Sequence, residues 1–353
     1  MPRTLGFLSM RFEEEEKRDF RPGFFAKLRD LPNPVFLEET YGKKLGYIPE
    51  DYLQVNSKIQ FLPRDEVWKS DIVISVRTPP EDELKALKRG SIFFSMLHYP
   101  TRRKRTTMLA DMGVRLYSMD AVTDEFGHRM IQDFSGTVNN ALVKGMEVLD
   151  RQKPHLEKIR VLILGSGELG KLAVDHAIHA SQKPVIAVSV GRKITGNQAL
   201  IKELLQESDI LIDATFRNDP RQHILENEQI GHLPPDSIII DISADDYDVN
   251  MDPIQVKAIE GIPTGNLGRY ILAPDDVSYE KIPPQVCSKE RRTVVSCNAW
   301  PGVNPHACLD RYEIQVEHFI RIMAVKAYDL DPSSSDPYER ALHRAKNNEK
   351  HRL

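Results

Sequence analysis

One stretch constrains this fold more than any other: Val161-Leu162-Ile163-Leu164-Gly165-Ser166-Gly167-Glu168-Leu169-Gly170. The apolar run reads as a buried strand, and a Gly-x-Gly-x-x-Gly turn follows it without a gap. From Glu168 the pattern becomes helical, with Leu169, Leu172, Ala173 and His176 on one face. In such a unit Gly165 permits a tight turn, Gly167 lets backbone approach a pyrophosphate, and Gly170 lets helix and strand pack closely. The free N–H groups at the helix start then face the anion. A lone glycine pattern often marks only a turn. Here strand, turn and helix arrive in the required order, so residues 165–170, with Ser166, Glu168 and Leu169 between the glycines, are the candidate dinucleotide site.

The 353 residues suffice for two domains, each with its own core. No apolar run approaches membrane-spanning length, and Glu13 to Glu16 close off the short apolar patch at Leu5 to Leu8, unlike a secretory signal. Cys287, Cys297 and Cys308 lack metal-type spacing and are odd in number, which fits reduced thiols in a cytoplasmic protein. A net charge of −4 offers no global attraction to nucleic acid. The basic run Arg102 to Arg105 opens an amphipathic helix and reads as a solvated face rather than a phosphate patch.

The first part of the chain alternates strands (Thr4 to Met10, Pro34 to Leu37, Ile59 to Leu62, Asp71 to Val76, Ser91 to Leu97, Val114 to Met119) with helical segments. A helix from about Gln132 to Gln152 precedes the glycine-rich unit. Further strands follow at Pro184 to Ser189, Asp209 to Ala214 and Ser237 to Ile242, with helices at Asn197 to Gln206 and Arg221 to Gln229. This order predicts an α/β protein of two domains, each with a mainly parallel sheet. A long helix, Cys308 to Leu330, returns to the first domain, so a Rossmann dinucleotide-binding domain (136–298) is inserted in a substrate domain (1–135 and 299–353). A tail helix from Pro337, capped by Asp336, reads as solvated or as contacting another subunit.

An acidic residue about 20 positions past the glycines usually binds the adenosine ribose. Here the second strand ends Val188-Ser189-Val190-Gly191-Arg192-Lys193. A hydroxyl and two cations at Ser189, Arg192 and Lys193 suit a 2′-phosphate, which favours NADP over NAD while leaving NAD open.

Polar residues also fall at predicted strand ends, where open α/β sheets hold their ligands. These are Arg77 after Ile72 to Val76, His98 after Ile92 to Leu97, and Asp245 after Ile238 to Ala244. Each alone has a plainer explanation: Arg77 as a salt-bridge partner, His98 as a core histidine, Asp245 as a turn former.

Taken in order, five segments resemble the alanine dehydrogenase and pyridine nucleotide transhydrogenase family, which includes lysine-forming saccharopine dehydrogenase and carboxyethylornithine synthase. They are Glu16-Lys17-Arg18 before Pro22, Asp71 to Pro79, Phe93 to His98, Ile240 to Asp245, and Asn298-Ala-Trp-Pro-Gly302. The resemblance implies hydride transfer between a nicotinamide and the carbon bearing nitrogen of an amino acid, in a cleft between the domains. Arg18 would pair with the substrate carboxylate and His98 would shuttle protons. Asp245 would hold the amine or the nicotinamide ribose, and Asn298 would stand near the cofactor. Arg77 replaces the family's substrate-binding lysine. Arginine can bind a carboxylate or polarise a carbonyl but cannot pass on a proton. The spacing after Arg18 also leaves Arg21 as a rival carboxylate ligand.

The sequence therefore reads as an NAD(P)-dependent oxidoreductase acting at the C–N bond of an amino acid or opine-like secondary amine. Its partner is a small amino acid or oxo acid, with no metal, nucleic acid or membrane implied, and a homo-oligomer is compatible. The alternative is a catalytically silent NADP-binding sensor or scaffold, motivated by Arg77.

Overall fold

The computed structural model describes residues 2–217 and 219–346. The chain divides into two compact units, Met1–Asp133 with Pro305–Leu353, and Phe134–Asn304.

In the first unit the strands are β1 (Leu5–Phe7), β2 (Val35–Glu38), β3 (Ile59–Leu62), β4 (Ile72–Arg77), β5 (Ile92–Met96) and β6 (Arg115–Ser118). They form one sheet in the order β3-β2-β1-β4-β5-β6, and every pairing is parallel. Both faces are buried, which is why these strands read as apolar runs rather than alternations. Ile72, Ile74 and Val76 join Leu5, Phe7 and Phe94 in one core, while Val73, Phe93 and Leu116 face the other. The chain runs outward from β1 to β3, then restarts on the other side of β1 with β4. The carboxyl ends of β1 and β4 thus make the switch point at which such sheets bind ligands.

Helices α1 (Pro22–Lys27), α2 (Pro49–Val55), α3 (Arg64–Val67) and α4 (Arg103–Asp111) connect these strands. Pro22 starts α1 in its preorganised position, and Phe24 and Phe25 are buried. Phe20 stacks on Phe24 at 4.4 Å and meets Phe7 edge-on at 6.2 Å, so the chain just before α1 is anchored to β1. Helix α2 escapes a reading of apolar period because Tyr52 is its one buried residue.

The second unit begins with α5 (Phe134–Gln152). Its strands are β7 (Ile159–Leu164), β8 (Val185–Val190), β9 (Ile210–Asp213), β10 (Ile238–Asp241), β11 (Ile271–Leu272) and β12 (Thr293–Ser296). The sheet order is β11-β12-β10-β9-β7-β8, parallel except for β11. Helices α6 (Glu168–His179), α7 (Arg192–Thr195), α8 (Gln198–Gln206) and α9 (Asn227–Ile230) complete it. Asn197 caps α8, its side chain accepting the Leu200 N–H at 3.2 Å. The helix expected from Arg221 shrinks to α9. Before it, the N–H groups of Ile224 and Leu225 bond the Ala258 carbonyl at 2.7 and 3.1 Å, which buries Leu225 in an extended segment.

The chain then returns to the first unit through α10 (Pro305–Lys326) and α11 (Pro337–Arg344). Asp336 caps α11 by accepting the Tyr338 N–H at 2.9 Å. The tail helix is not a solvated appendage. Ala341, Leu342 and Ala345 sit in the core of the first unit, and buried Glu339 pairs with Lys326 at 2.5 Å. Among the described residues, no cluster could hold a metal ion and no helix is long and apolar enough to cross a membrane.

Candidate active site

Arg77 ends β4 at the switch point of the first unit. Its Nη2 lies 2.7 Å from Glu13 Oε1, its Nη1 lies 3.4 Å from Glu16 Oε2, and the ring of Phe12 stacks over the guanidinium at 4.0 Å. Glu16 also takes both prongs of Arg18, at 2.8 Å to Nε and 2.5 Å to Nη2. Burial would raise the Glu16 carboxyl, but the charge and hydrogen bonds of Arg18, with help from Arg77, outweigh it and hold it at about 2. One carboxylate therefore joins the two arginines picked out by sequence. Arg18 is buried with its fork filled by Glu16, whereas Arg77 keeps an edge toward the surface-exposed Phe12. The rival Arg21 is committed elsewhere, gripping Glu313 at 2.7 Å and Asp310 at 2.7 Å on α10.

His98 follows the neighbouring strand β5, whose Met96 is in register with Arg77. It is not a core histidine: its side chain is 49% exposed. Its backbone is left-handed, with φ +52°, an uncommon conformation for a residue with a Cβ. Asp120 holds it there, accepting the His98 N–H at 3.1 Å and facing the ring Nδ1 at 3.4 Å. The hydroxyl of Ser118 donates to the same carboxylate and accepts the Leu97 N–H at 2.9 Å. Burial works to raise the Asp120 carboxyl, but His98, Arg129 and Ser118 hold it well below the usual carboxylate range. A buried anion against Nδ1 favours the tautomer with its proton there, leaving Nε2 to exchange protons.

In the second unit the glycine turn has the geometry that a pyrophosphate needs. Gly165 has φ +114°, and a Cβ there would lie 2.4 Å from the Ala214 carbonyl oxygen. A Cβ on Gly170 would lie 1.9 Å from the Gly165 carbonyl oxygen, so α6 packs on the turn itself. Gly167 is exposed, and a Cβ there would meet nothing within 4 Å. No side chain caps the start of α6, and Ser166 and Glu168 are exposed beside it, while Leu169 packs inward. Open space, an uncapped helix start and close backbone packing fit a dinucleotide. Ser189 is turned to another task, donating to the Gly165 carbonyl at 2.8 Å. Arg192 and Lys193 are exposed on α7 just past β8.

Asp245 follows β10. Its Oδ2 lies 2.6 Å from Nη2 of Arg217, and that arginine also bonds the carbonyls of Val256 at 2.6 Å and Gln222 at 2.9 Å. Buried Lys257 donates to the Asp245 carbonyl at 2.5 Å and lies 2.8 Å from Asp241 Oδ2. Asp213, at the end of the adjacent strand β9, is bridged to Asp241 by the Ser243 hydroxyl at 2.8 and 3.2 Å. Burial and then the charge of Asp241 push the Asp213 carboxyl up, while Lys257 overcomes burial and holds Asp241 down. Two cations thus fix the loop that carries Asp245. Asn298 is exposed, its N–H bonded to the Gly265 carbonyl at 3.0 Å, and the turn after it is tied to β10 by Trp300 Nε1 donating to the Asp241 carbonyl at 2.8 Å.

The model of the alanine dehydrogenase/PNT N-terminal domain matches residues 11–135, the segment that carries Arg18, Arg77 and His98. In this segment the chain is similar to the N-terminal domain of alanine dehydrogenases and transhydrogenases. Among similar proteins, an alanine dehydrogenase of Bacillus subtilis is 21% identical over 257 residues, 65% of this chain and 68% of its own length. One of Staphylococcus epidermidis is 24% identical over 266 residues, covering 65% and 69%. A solved L-alanine dehydrogenase superposes with a TM-score of 0.72 at 18% identity, covering 99% of this chain and 96% of the other. A transhydrogenase from Sinorhizobium meliloti gives 0.62 at 15% identity, covering 92% and 96%. At such identities the likeness establishes the fold.

The pairings that organise these side chains, made by Glu13, Glu16, Asp120, Arg217 and Lys257, escaped the sequence reading. An acidic run beside an arginine motif was the one signal available for the first pair.

Proposed function

We propose that the chain is an NAD(P)-dependent oxidoreductase acting at the C–N bond of an amino acid or an opine-like secondary amine. The observation that carries this reading is the juxtaposition of Arg77 and His98 at the carboxyl ends of neighbouring strands, with His98 oriented by buried Asp120. An oriented, half-exposed histidine beside a carboxylate-binding arginine is machinery for proton transfer, which a silent nucleotide-binding protein has no need to maintain. That similar proteins are alanine dehydrogenases supports an amino-acid substrate.

Arg77 binds the substrate carboxylate and fixes the α-carbon, a role that needs a two-pronged cation rather than a proton donor. Arg18, gripped by Glu16, supports that positive edge from beneath. His98 moves a proton at Nε2 to or from the substrate nitrogen or the carbinol oxygen. Asp245, pinned by Arg217, holds the amine or the nicotinamide ribose. Gly165 to Gly170 hold the pyrophosphate, and Arg192 with Lys193 receive a 2′-phosphate, which favours NADP. When bound there, the nicotinamide supplies or accepts the hydride.

The purified protein, incubated with 2-oxo acids and either ammonia or amino acids, is expected to consume NADPH in preference to NADH only when oxo acid and amine are both present. His98→Ala should fold normally and lose about 10²–10⁴ in rate. Reduction of the oxo acid without any amine, or no consumption across the panel, would overturn the reading.

A further inference from the structure

The edge of Arg77 assigned to the substrate carboxylate already holds a carboxylate. Glu13 Oε1 lies 2.7 Å from Nη2, and Phe12, next to it in sequence, covers one face of the guanidinium at 4.0 Å. The cavity left against Arg77, walled by Ser9, Arg11, Phe12, Ser75 and Pro79, measures about 10 Å³. That is room for about one water and not for an oxo acid. A substrate that reaches Arg77 must therefore move the Phe12–Glu13 tip.

The attachments of the tip are unlike those of the segment beneath it. Glu16 and Arg18 are buried and locked together, and Asp19 accepts the Ser9 hydroxyl at 2.8 Å and the Met10 and Gly42 N–H groups, each at 2.9 Å. Above them, Phe12 is half exposed and Glu13 to Glu15 are like charges in a row. Among its backbone ties are the turn bond from Glu16 N–H to the Glu13 carbonyl at 3.2 Å and the ammonium of Lys44 on the carbonyls of Glu13 and Glu14 at 3.1 and 2.7 Å. A partly exposed turn on a fixed base is the arrangement of a loop that opens locally.

We propose that Glu13 is a resident carboxylate that competes with the substrate's carboxylate for Arg77, so that substrate binds by displacing the Phe12–Glu13 tip. This inference rests on the reading of Arg77 as the carboxylate anchor. Exchange of one carboxylate for another keeps the guanidinium paired throughout and charges each ligand for opening the tip. A tip open one-tenth of the time weakens apparent binding about tenfold. Ligands that bring a carboxylate recover that loss at Arg77, whereas neutral analogues such as amides do not, so Glu13 weakens both by a like factor while Arg77 sets the preference for acids.

The test is calorimetric titration of the full-length protein with pyruvate and with pyruvamide, in the presence of NADPH and absence of amine, together with the KM for pyruvate in the amination assay. Glu13→Gln is expected to tighten pyruvate about five- to twentyfold and to lower KM by a similar factor, with a smaller change in kcat. The gain should vanish in an Arg77→Ala background, where pyruvate binds more weakly from the start. Should Glu13→Gln fail to fold, Glu13→Ala carries the same expectation without leaving an amide against Arg77. If Arg77→Ala weakens pyruvate while both Glu13 variants match or fall below the parent, the inference is overturned and the anchoring role of Arg77 stands. If Arg77→Ala leaves pyruvate affinity unchanged, or pyruvate binds no variant, both are wrong.

Discussion

Replacing Asp120 by asparagine tests the assignment of His98 with little change in shape. The asparagine oxygen can still accept the His98 N–H that Asp120 holds at 3.1 Å, so the left-handed backbone at His98 keeps its main support. What goes is the negative charge 3.4 Å from Nδ1. His98 is half exposed, so the effective dielectric lies between about 40 and bulk water. At that distance a charge pair is then worth about 1.2–2.4 kcal/mol. Wherever the rate-limiting step places positive charge on the imidazole, that loss converts to about eight- to sixtyfold in kcat. The asparagine amide adds to it by donating to Nδ1, which moves the ring proton to Nε2 and removes the acceptor. The assay is kcat in both directions across pH, with circular dichroism and thermal melting to confirm the fold. A correctly folded Asp120→Asn protein within twofold of the parent would make Asp120 a loop staple and leave His98 without its orienting group.

Other outcomes follow from the second unit. Asp213 is raised to about 6, by burial first and by the charge of Asp241 second. A carboxyl raised in the folded state lends stability below its unfolded value near 3.8 and loses it as pH rises through about 6. Asp213→Asn should therefore melt at a higher temperature than the parent at pH 8, with the gap closing by pH 4; an equal gap at every pH would show that the charge is not the cause. Lys257→Met leaves buried Asp241 without its cation and should cost about 3–5 kcal/mol in urea unfolding, a figure that an unchanged midpoint would refute. Gly170→Ala drives a Cβ to 1.9 Å from a backbone oxygen and should lower the melting temperature, whereas Gly167→Ala should melt like the parent and lose about tenfold or more in nucleotide affinity. Similar melting of the two variants would refute that contrast. Arg192→Ala should weaken NADP about tenfold and leave NAD nearly unchanged in fluorescence titrations; equal losses would remove the preference for the 2′-phosphate.

Much of the fold was legible because the strands are buried on both faces. Ile72 to Val76, Val161 to Leu164 and Ile238 to Ile240 could not be anything but interior, and the glycine turn fixed the direction of the chain after β7. Other elements were lost or misread. Strand β12 follows Arg291 and Arg292, whose charges disguise it, although Arg292 is buried and bonds the carbonyls of Leu233 and Pro234. The segment before α9 has helical spacing at Ile224 and Leu225, yet its hydrogen bonds go to Ala258, a partner that local pattern cannot reveal. The tail helix buries Ala341 and Leu342 together with the charged Glu339, so its composition looked solvated. In the site, Arg77 and His98 stood out as polar ends of apolar strands. Glu16 reaches Arg77 across 61 positions and Asp120 reaches His98 across 22, so the charges that decide what those residues can do were visible only once the chain was folded.

The most direct test of hydride transfer at the carbon bearing nitrogen uses NADPH deuterated at C4 of the nicotinamide, prepared as each of the two stereoisomers. The protein is supplied with an oxo acid and an amine, and the product is examined by mass spectrometry and proton NMR. One stereoisomer is expected to deliver deuterium to the carbon that acquires nitrogen, while the other leaves the product unlabelled. Deuterium in a hydroxy acid that lacks the new C–N bond, or no product with either isomer across the oxo acids and amines tested, would contradict the assignment.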